Sequence, residues 1–403
     1  MAKPLALLLY SHFFAPSIGG VETIVLSLAR GLAEWRDSNG AAQFKITLVT
    51  QTPAGNWNDR ELPFQVVRKP GLIRLWRLIR RSDVVHVAGP ALAPLLLCML
   101  ARRPAVVEHH GYQAICPNGV LLRQPDRSVC PGHFQSGHYG ECLRCLAQES
   151  PWHVSLVRLL SMFPRHWLSR RAAVNVGVTQ HAIVRHSLPH SDLIYHGIQD
   201  PVGPRANDSA VRPVADDLDI IWFAYLGRLV PEKGIPVFLK AARLLRPERH
   251  DFAIRLVGDG PERSNLEAII ARDRLEMCVR ITGFLTGAAL AEALAEVRVI
   301  VAPSVWEETA GLAAIEQMMR GRVVIASAIG GLAEIVGDGG LTFPPGDAEA
   351  LAQCMRKVLN DRSLIGSLGK KARDRALCFF QQERMIEAHA RAYCQIGGVG
   401  KRE

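Results

Sequence analysis

The sequence predicts an α/β protein made of two doubly wound, Rossmann-like domains. Three observations predict it. Apolar β-branched runs alternate with amphipathic stretches along the whole chain. The length, 403 residues, suits two such domains better than one. A Pro- and Asp-rich stretch poor in apolar residues, 199–217, divides the runs into two series and reads as a linker.

The opening "MAKPLALLLY" has the apolar run of a short signal peptide but lacks a small-residue cleavage site. It runs straight into "SHFFAPSIGG", so a first β-strand is expected. "KITLVT" (45–50), "DVVHVAG" (83–89), "AVVEHHG" (105–111) and "AAVNVGVT" (172–179) then read as buried parallel strands. "ALAPLLLCML" (91–100) contains a proline and is too short to span a bilayer, which takes about 20 residues; it reads as a buried helix. In the second series the strands are "IIWFAYLG" (220–227), "FAIRLVGDG" (252–260), "CVRITGFL" (278–285), "VRVIVAPS" (297–304) and "RVVIAS" (322–327). Helical periodicity fills 235–246, 261–275, 287–296, 312–320 and 347–360. The expected domains are therefore 1–200 and 201–375, with a last helix in 376–403 that packs back on the first domain.

The net charge of +10 is unevenly placed: residues 1–200 hold 21 Lys+Arg against 12 Asp+Glu, and residues 201–403 hold 27 against 26. The excess therefore belongs to the first half and calls for an anionic partner there: a lipid surface, a phosphorylated substrate or a nucleic acid.

Two stretches can carry chemistry. "GRLVPEKG" (227–234) follows a strand and precedes a helix, at the edge where open α/β sheets bind ligands. Arg228 and Lys233 beside a helix N-terminus suit a diphosphate; a solvated basic loop is the plainer alternative. In "PSVWEETAGLAAIEQMMRG" (303–321) the helix starts near Gly311 and ends before Gly321. Glu308 precedes that helix, and Glu316 lies within it between "GLAAI" and "QMM". A carboxylate in such apolar surroundings needs a partner, and a hydroxyl-rich ligand supplies one.

Together these motifs resemble the retaining family 4 glycosyltransferases of GT-B fold. The match is "GRLVPEKG", then Glu308-x7-Glu316, with "GVE" after "FFAPSIGG", "VGDGPE" (257–262) and "IGGLAEIVGDGG" (329–340) in the expected order. The resemblance covers nearly the whole chain and implies two domains facing a central cleft. It implies a nucleotide-diphosphate sugar as donor, UDP- or GDP-linked, and a glycan or lipid-linked acceptor. Arg228 and Lys233 then neutralise the diphosphate, Glu308 orients sugar hydroxyls and Glu316 holds the ribose. Gly311 and Leu312 present N–H groups to the β-phosphate, Gly283, Phe284 and Leu285 meet the base, and Gly19 and Gly20 form the glycine loop opposite. In "VVEHHGYQAICP" (106–117) the family histidine falls on His110, with His109 as the alternative; His86 in "DVVHV" also fits. Retention is usually attributed to a front-face mechanism, so no protein nucleophile is assigned. The single D-x-D, Asp217-Leu-Asp219, lies in the approach to a strand and makes a poor metal platform. Metal-independent catalysis is expected, with fixed cations and a helix terminus stabilising the leaving diphosphate.

"GLIRLWRLIRR" (71–81) and "WHVSLVRLLSMFPRHWLSRR" (152–171) mix Trp, Leu and Arg. Ordinary helices with the apolar side inward explain the periodicity, while docking on an anionic leaflet explains the charge as well. With neither a cleavable leader nor a membrane span read in the sequence, a cytoplasmic protein is expected, peripheral on the inner face of the plasma membrane; the resemblance implies bacterial surface polysaccharide or glycolipid synthesis. A GT-B phosphorylase or sugar-nucleotide epimerase shares the fold. A nucleic-acid-binding or non-catalytic scaffold fits less well, because no nucleic-acid motif is present and the site residues are intact.

Cys116, Cys130, Cys142 and Cys145 are spaced C-x13-C-x11-C-x2-C in an insertion (116–145) after His110. They suit either a tetrahedral structural zinc, with His133 and His138 in reserve, or plain buried thiols.

Overall fold

The computed structural model describes residues 3–36, 40–203 and 220–398. The chain forms two compact units, residues 1–199 with 380–403, and residues 200–379. Most of the expected linker, and Asp217-Leu-Asp219 with it, lies outside the described residues.

The first unit runs β1 (Leu5–Ser11), α1 (Gly20–Glu34), β2 (Phe44–Thr50), β3 (Gln65–Arg68), α2 (Leu72–Arg81), β4 (Val84–Ala88), α3 (Leu92–Leu100) and β5 (Ala105–His109). A two-stranded ribbon, β6 (Leu122–Arg123) and β7 (Ser128–Val129), and α4 (Tyr139–Ala147) form the Cys-bearing insertion. Then come α5 (Trp152–Ser169), β8 (Val174–Gly177), α6 (Gln180–His186) and β9 (Ser191–Leu193). The strands form one parallel sheet in the order β3-β2-β1-β4-β5-β8-β9. The order reverses between β1 and β4, which pair in the register Leu8↔Val85. Their near-continuous apolar runs follow from burial on both faces.

The second unit runs β10 (Ile221–Leu226), α7 (Ile235–Leu245), β11 (Phe252–Val257), α8 (Arg263–Arg272), β12 (Val279–Gly283), α9 (Gly287–Ala293), β13 (Val297–Ala302), α10 (Leu312–Met319), β14 (Val323–Ser327), α11 (Gly330–Val336), β15 (Gly340–Phe343), α12 (Ala348–Asn360) and α13 (Ser363–Phe379). Its parallel sheet has the order β12-β11-β10-β13-β14-β15, with the reversal between β10 and β13. Sequence chemistry sets several helix limits. The Asp347 side chain accepts from the Ala350 N–H at 2.9 Å and starts α12. Gly321, at φ 70°, follows the end of α10.

The last helix, α14 (Gln382–Gly397), belongs to the first unit. Ile198 N–H donates to Phe380 O at 2.9 Å, and Gln382 N–H donates to Ile198 O at 3.0 Å. The division falls after Phe379 rather than after residue 375, because α13 continues to Phe379 as one helix of the second unit. The short strands β3, β9 and β15 have no counterpart among the expected strands. Each is three or four residues long and lacks the apolar run that marks the others.

One expectation about the basic helices changes. In α2 only Leu75 and Ile79 are buried, while Leu72 and Ile73 are 65% and 70% exposed. In α5, Ser155, Leu159 and Met162 face inward, yet Trp152, Val157, Leu160, Phe163 and Trp167 are exposed. The apolar side is therefore not wholly inward: α5 is apolar on two sides and buries one.

Candidate active site

The reversal between β10 and β13 sets the loops that follow these two strands side by side at the carboxyl edge, where doubly wound sheets bind ligands. These are the loops of "GRLVPEKG" and "PSVWEETAG". Backbone bonds fasten them together: Val305 N–H donates to Glu232 O at 3.0 Å. Gly234 has φ 65°, and a Cβ there would lie 2.0 Å from Pro303 O. Gly330 has φ 60°, and its Cβ would lie 2.6 Å from the backbone N and O of Glu308. Only glycine permits either approach.

Within this frame Lys233 Nζ stands 2.9 Å from Glu308 Oε2. Ser304 Oγ donates to the other carboxylate oxygen, and Gly331 N–H donates to the Glu308 carbonyl at 2.6 Å. The carboxylate is thus held at both oxygens, in a residue 8% exposed. Lys233 also lies 5.8 Å over the Trp306 ring. Arg228 is exposed beside the pair, its carbonyl accepting from Tyr225 Oη at 2.7 Å. Burial, then the negative charge of Glu308, pushes the Tyr225 phenol up and keeps it a neutral donor. Gly311 is the N-cap of α10 and offers no side-chain cap, so the first N–H groups of the helix, from Leu312 onward, face the same edge.

Gly283 ends β12, two strands along the same edge, and Phe284 and Leu285 follow it. Gly283 O accepts from Gly258 N–H at 2.9 Å, and Phe284 is 62% exposed. Glu316 departs from expectation. Its helix is apolar around it, but the residue itself is exposed, so it does not need a protein partner. The protein mass nearby still raises its carboxyl pKa by desolvation, with Arg320 opposing.

In the first unit, Gly19 caps and Gly20 opens α1, after the loop that leaves β1. His109 ends β5 and His110 follows it. His109 is buried and its Nε2 lies 2.9 Å from Asn175 Oδ1. The His110 ring is 7% exposed, with Nδ1 3.1 Å from His196 Nε2 and Nε2 3.5 Å from Glu108 Oε2. Glu108 is the residue that sequence reasoning missed. It is fully buried and ringed by His86, His110, His196 and His389. Burial pushes its pKa up, but His110, then His196, His86 and His389, outweigh that and hold it well below the usual range. Burial lowers His110 and His389 to about 4 each. No spacing in the sequence joins residues 86, 108, 196 and 389; topology alone does.

All nine cysteines are free thiols. Cys116, Cys130, Cys142 and Cys145 line one cavity of about 20 Å³, together with His133, Asn118 and Arg123. That volume holds one ion or one water. Gln124 N–H donates to Cys145 Sγ at 3.3 Å and Asn118 Nδ2 donates to it at 3.6 Å. Burial raises the Cys142 thiol to about 12, and its neighbouring cysteines add to the shift. Among the described residues, no three of these sulfurs lie within 4.8 Å of one another. Among the described residues, the sets of three donors within 4.8 Å of one another are His86–Glu108–His389 and Glu108–His110–His196.

Two parallel, doubly wound units, the second with a cation–carboxylate pair at its switch point, define the GT-B class. Solved structures agree: Anabaena HepE in complex with UDP superposes with a TM-score of 0.69 at 18% identity, covering 98% of this chain and 100% of that one. The family model for glycosyl transferases group 1 matches residues 221–361. The 2-deoxystreptamine glucosyltransferase of Streptomyces kanamyceticus is 35% identical over 139 residues, and that match spans 34% of this chain and only 36% of the relative. Glycogen synthase of Mycobacterium tuberculosis is 30% identical over 334 residues, 81% of this chain and 71% of the enzyme. The chain belongs to the group 1 glycosyltransferase family.

Proposed function

We propose that the protein is a retaining glycosyltransferase of the family 4 type, moving a sugar from a nucleotide-diphosphate sugar to a glycan or lipid-linked acceptor. The observation that carries this reading is the Lys233–Glu308 pair, 2.9 Å apart at the switch point, with Arg228 and the uncapped start of α10 beside it. The pair is a ready exchange. A donor diphosphate competes for Lys233, and a sugar hydroxyl takes the place of the ammonium at Glu308. Arg228, Lys233 and the α10 N–H groups then stabilise the charge that develops as the sugar–phosphate bond breaks, and transfer needs no catalytic metal. Gly283, Phe284 and Leu285 meet the base, Glu316 the ribose, and Gly19, Gly20 and His110 serve the donor and acceptor from the first unit. UDP is favoured as the nucleotide, since the HepE neighbours were solved with UDP and UDP-glucose.

The first unit binds an anionic membrane surface, which places a lipid-linked acceptor at hand on the cytoplasmic face. The support is the exposed side of α5, with Trp152, Val157, Leu160, Phe163 and Trp167. It lies next to α3, which exposes Leu96, Met99 and Leu100, in a unit that carries the basic excess. No helix among the described residues is long and apolar enough to cross a membrane. The thiol-lined cavity takes a structural zinc, its sulfurs drawing together on the ion. The N–H groups aimed at Cys145 favour the thiolate that a metal requires.

The test is a thermal-shift comparison of UDP, GDP and their sugars, then product analysis with lipid-linked acceptors in freshly added EDTA. Stabilisation by a nucleotide, release of the nucleotide on transfer and an unchanged anomeric configuration are expected. Inversion, or transfer at full rate in Glu308→Ala, would sink the reading. Zinc analysis of the purified protein and of Cys142→Ser/Cys145→Ser checks the cavity.

A further inference from the structure

The first unit buries a set of groups that the transfer reaction does not use. Glu108 is 0% exposed at the end of β5, and no hydrogen bond of good geometry reaches either of its oxygens. A carboxylate withdrawn from water requires a compensating charge or donors. Three imidazoles converge on Oε2: His110 Nε2, just after β5, at 3.5 Å, and, from elements far apart in the chain, His86 Nε2 of β4 at 3.2 Å and His389 Nε2 of α14 at 3.9 Å. His86 and His389 are 1% and 0% exposed.

The far nitrogens say what the near ones offer. His389 Nδ1 lies 2.9 Å from Met385 O, which can only accept, so Nδ1 carries the proton. In the neutral ring Nε2 is then a bare lone pair aimed at a carboxylate. His86 Nδ1 lies 2.8 Å from Tyr393 Oη, a hydroxyl that can accept its proton; Nε2 is then a second lone pair facing the same oxygen, whereas a donating phenol leaves Nε2–H to bond Glu108. Two nitrogens and an anionic oxygen converge on one point. A proton relieves one nitrogen; a cation shared among them relieves both.

We propose that His86 Nε2, Glu108 Oε2 and His389 Nε2 bind a divalent transition-metal ion, zinc by their donor chemistry, as a structural site of the first unit. All three atoms lie within 4.8 Å of one another. Ligands on bonds of about 2.0–2.2 Å stand roughly 3–4 Å apart, so a small inward adjustment supplies three of the four positions of a tetrahedral ion. Each imidazole already has the outer hydrogen bond that orients a metal-bound histidine, to Met385 O and to Tyr393 Oη. His110 and His196 flank the same carboxylate as a second set of donors, linked to each other through His110 Nδ1 and His196 Nε2 at 3.1 Å, and the sets within 4.8 Å do not join them to His86 and His389. The ion ties α14 to β4 and β5 and fixes the carboxylate that faces His110. It is distinct from the thiol-lined cavity and takes no part in the transfer chemistry.

The experiment is metal analysis of full-length protein purified without chelator, alongside Cys142→Ser/Cys145→Ser, His389→Gln and His86→Gln. The Cys variant is expected to retain one equivalent of zinc-class ion per chain, and each Gln variant to carry one equivalent less than wild type. Equal content in wild type and the Gln variants, or none in the Cys variant, overturns the site and leaves Glu108 and His389 sharing a proton. Cobalt exchange into wild-type protein is a second reading that does not depend on how the variants fold. Ligand-field bands beyond those accompanied by thiolate charge transfer are expected; thiolate-type cobalt alone overturns the proposal.

Discussion

Lys233 and Glu308 meet at 2.9 Å although they belong to loops that follow different, adjacent strands. Glycine at 234 and 330 makes that meeting possible, since a side chain at either position would strike the backbone of the facing loop. If Lys233 neutralises the leaving diphosphate as proposed, Lys233→Ala is expected to lower kcat by roughly 10²–10³-fold. Glu308→Gln keeps the shape and loses the charge that orients the sugar; a loss of roughly 10²-fold in kcat is expected. Because the Gln amide still fits beside Ser304, the melting temperature should stay within roughly 4 °C of wild type. Initial rates and thermal melts of the same samples check this.

Phe284 is 62% exposed at the end of β12, an unusual place for a large apolar ring without a ligand to cover it. Phe284→Ala is expected to weaken nucleotide binding by about 1 kcal/mol, near tenfold in Kd, through lost stacking on the base. Stability should be unchanged, because little packing is removed. Calorimetric titration with UDP and GDP measures it; unaltered Kd for both removes Phe284 from the base site.

The exposed side of α5 sets up a test of membrane docking. Val157 and Leu160 are 65% and 55% exposed. Val157→Ser/Leu160→Ser should cut sedimentation with anionic vesicles several-fold while leaving the melting temperature in place. Binding of wild type should fall as salt rises, since each basic residue near the surface contributes about 1 kcal/mol that salt screens. Equal binding to neutral and anionic vesicles would argue against the charge excess as the cause.

Arg373 of α13 holds Asp200 through both carboxylate oxygens, at 3.1 and 2.9 Å. This hydrogen bonding outweighs desolvation and lowers the Asp200 pKa from its ordinary value of 3.8. A carboxyl whose pKa is depressed on folding stabilises above its unfolded pKa, and the contribution fades as pH falls through the folded one. Asp200→Asn is therefore expected to cost about 1–2 kcal/mol at neutral pH. The gap from wild type should narrow below about pH 3.8. Denaturant midpoints at both pH values decide it; a gap that is constant with pH would mean that packing, not charge, is lost.

Much of this protein follows from local sequence. Apolar β-branched runs mark the long strands because burial on both faces of a parallel sheet leaves little choice of residue. "GRLVPEKG" and Glu308 are legible because a switch-point loop needs cations and glycines at fixed offsets, and both lie within one short stretch each. Tertiary structure alone decides three things. It leaves Glu316 exposed, since helical periodicity cannot say which apolar neighbours pack over it. It leaves one apolar side of α5 uncovered, because a sequence shows where greasy residues fall but not how many faces the fold covers. And it gathers His86, His110, His196 and His389 around the Glu108 carboxylate. These residues lie in β4, just after β5, after β9 and in α14, so only the sheet order and the return of α14 bring their side chains within a few ångströms.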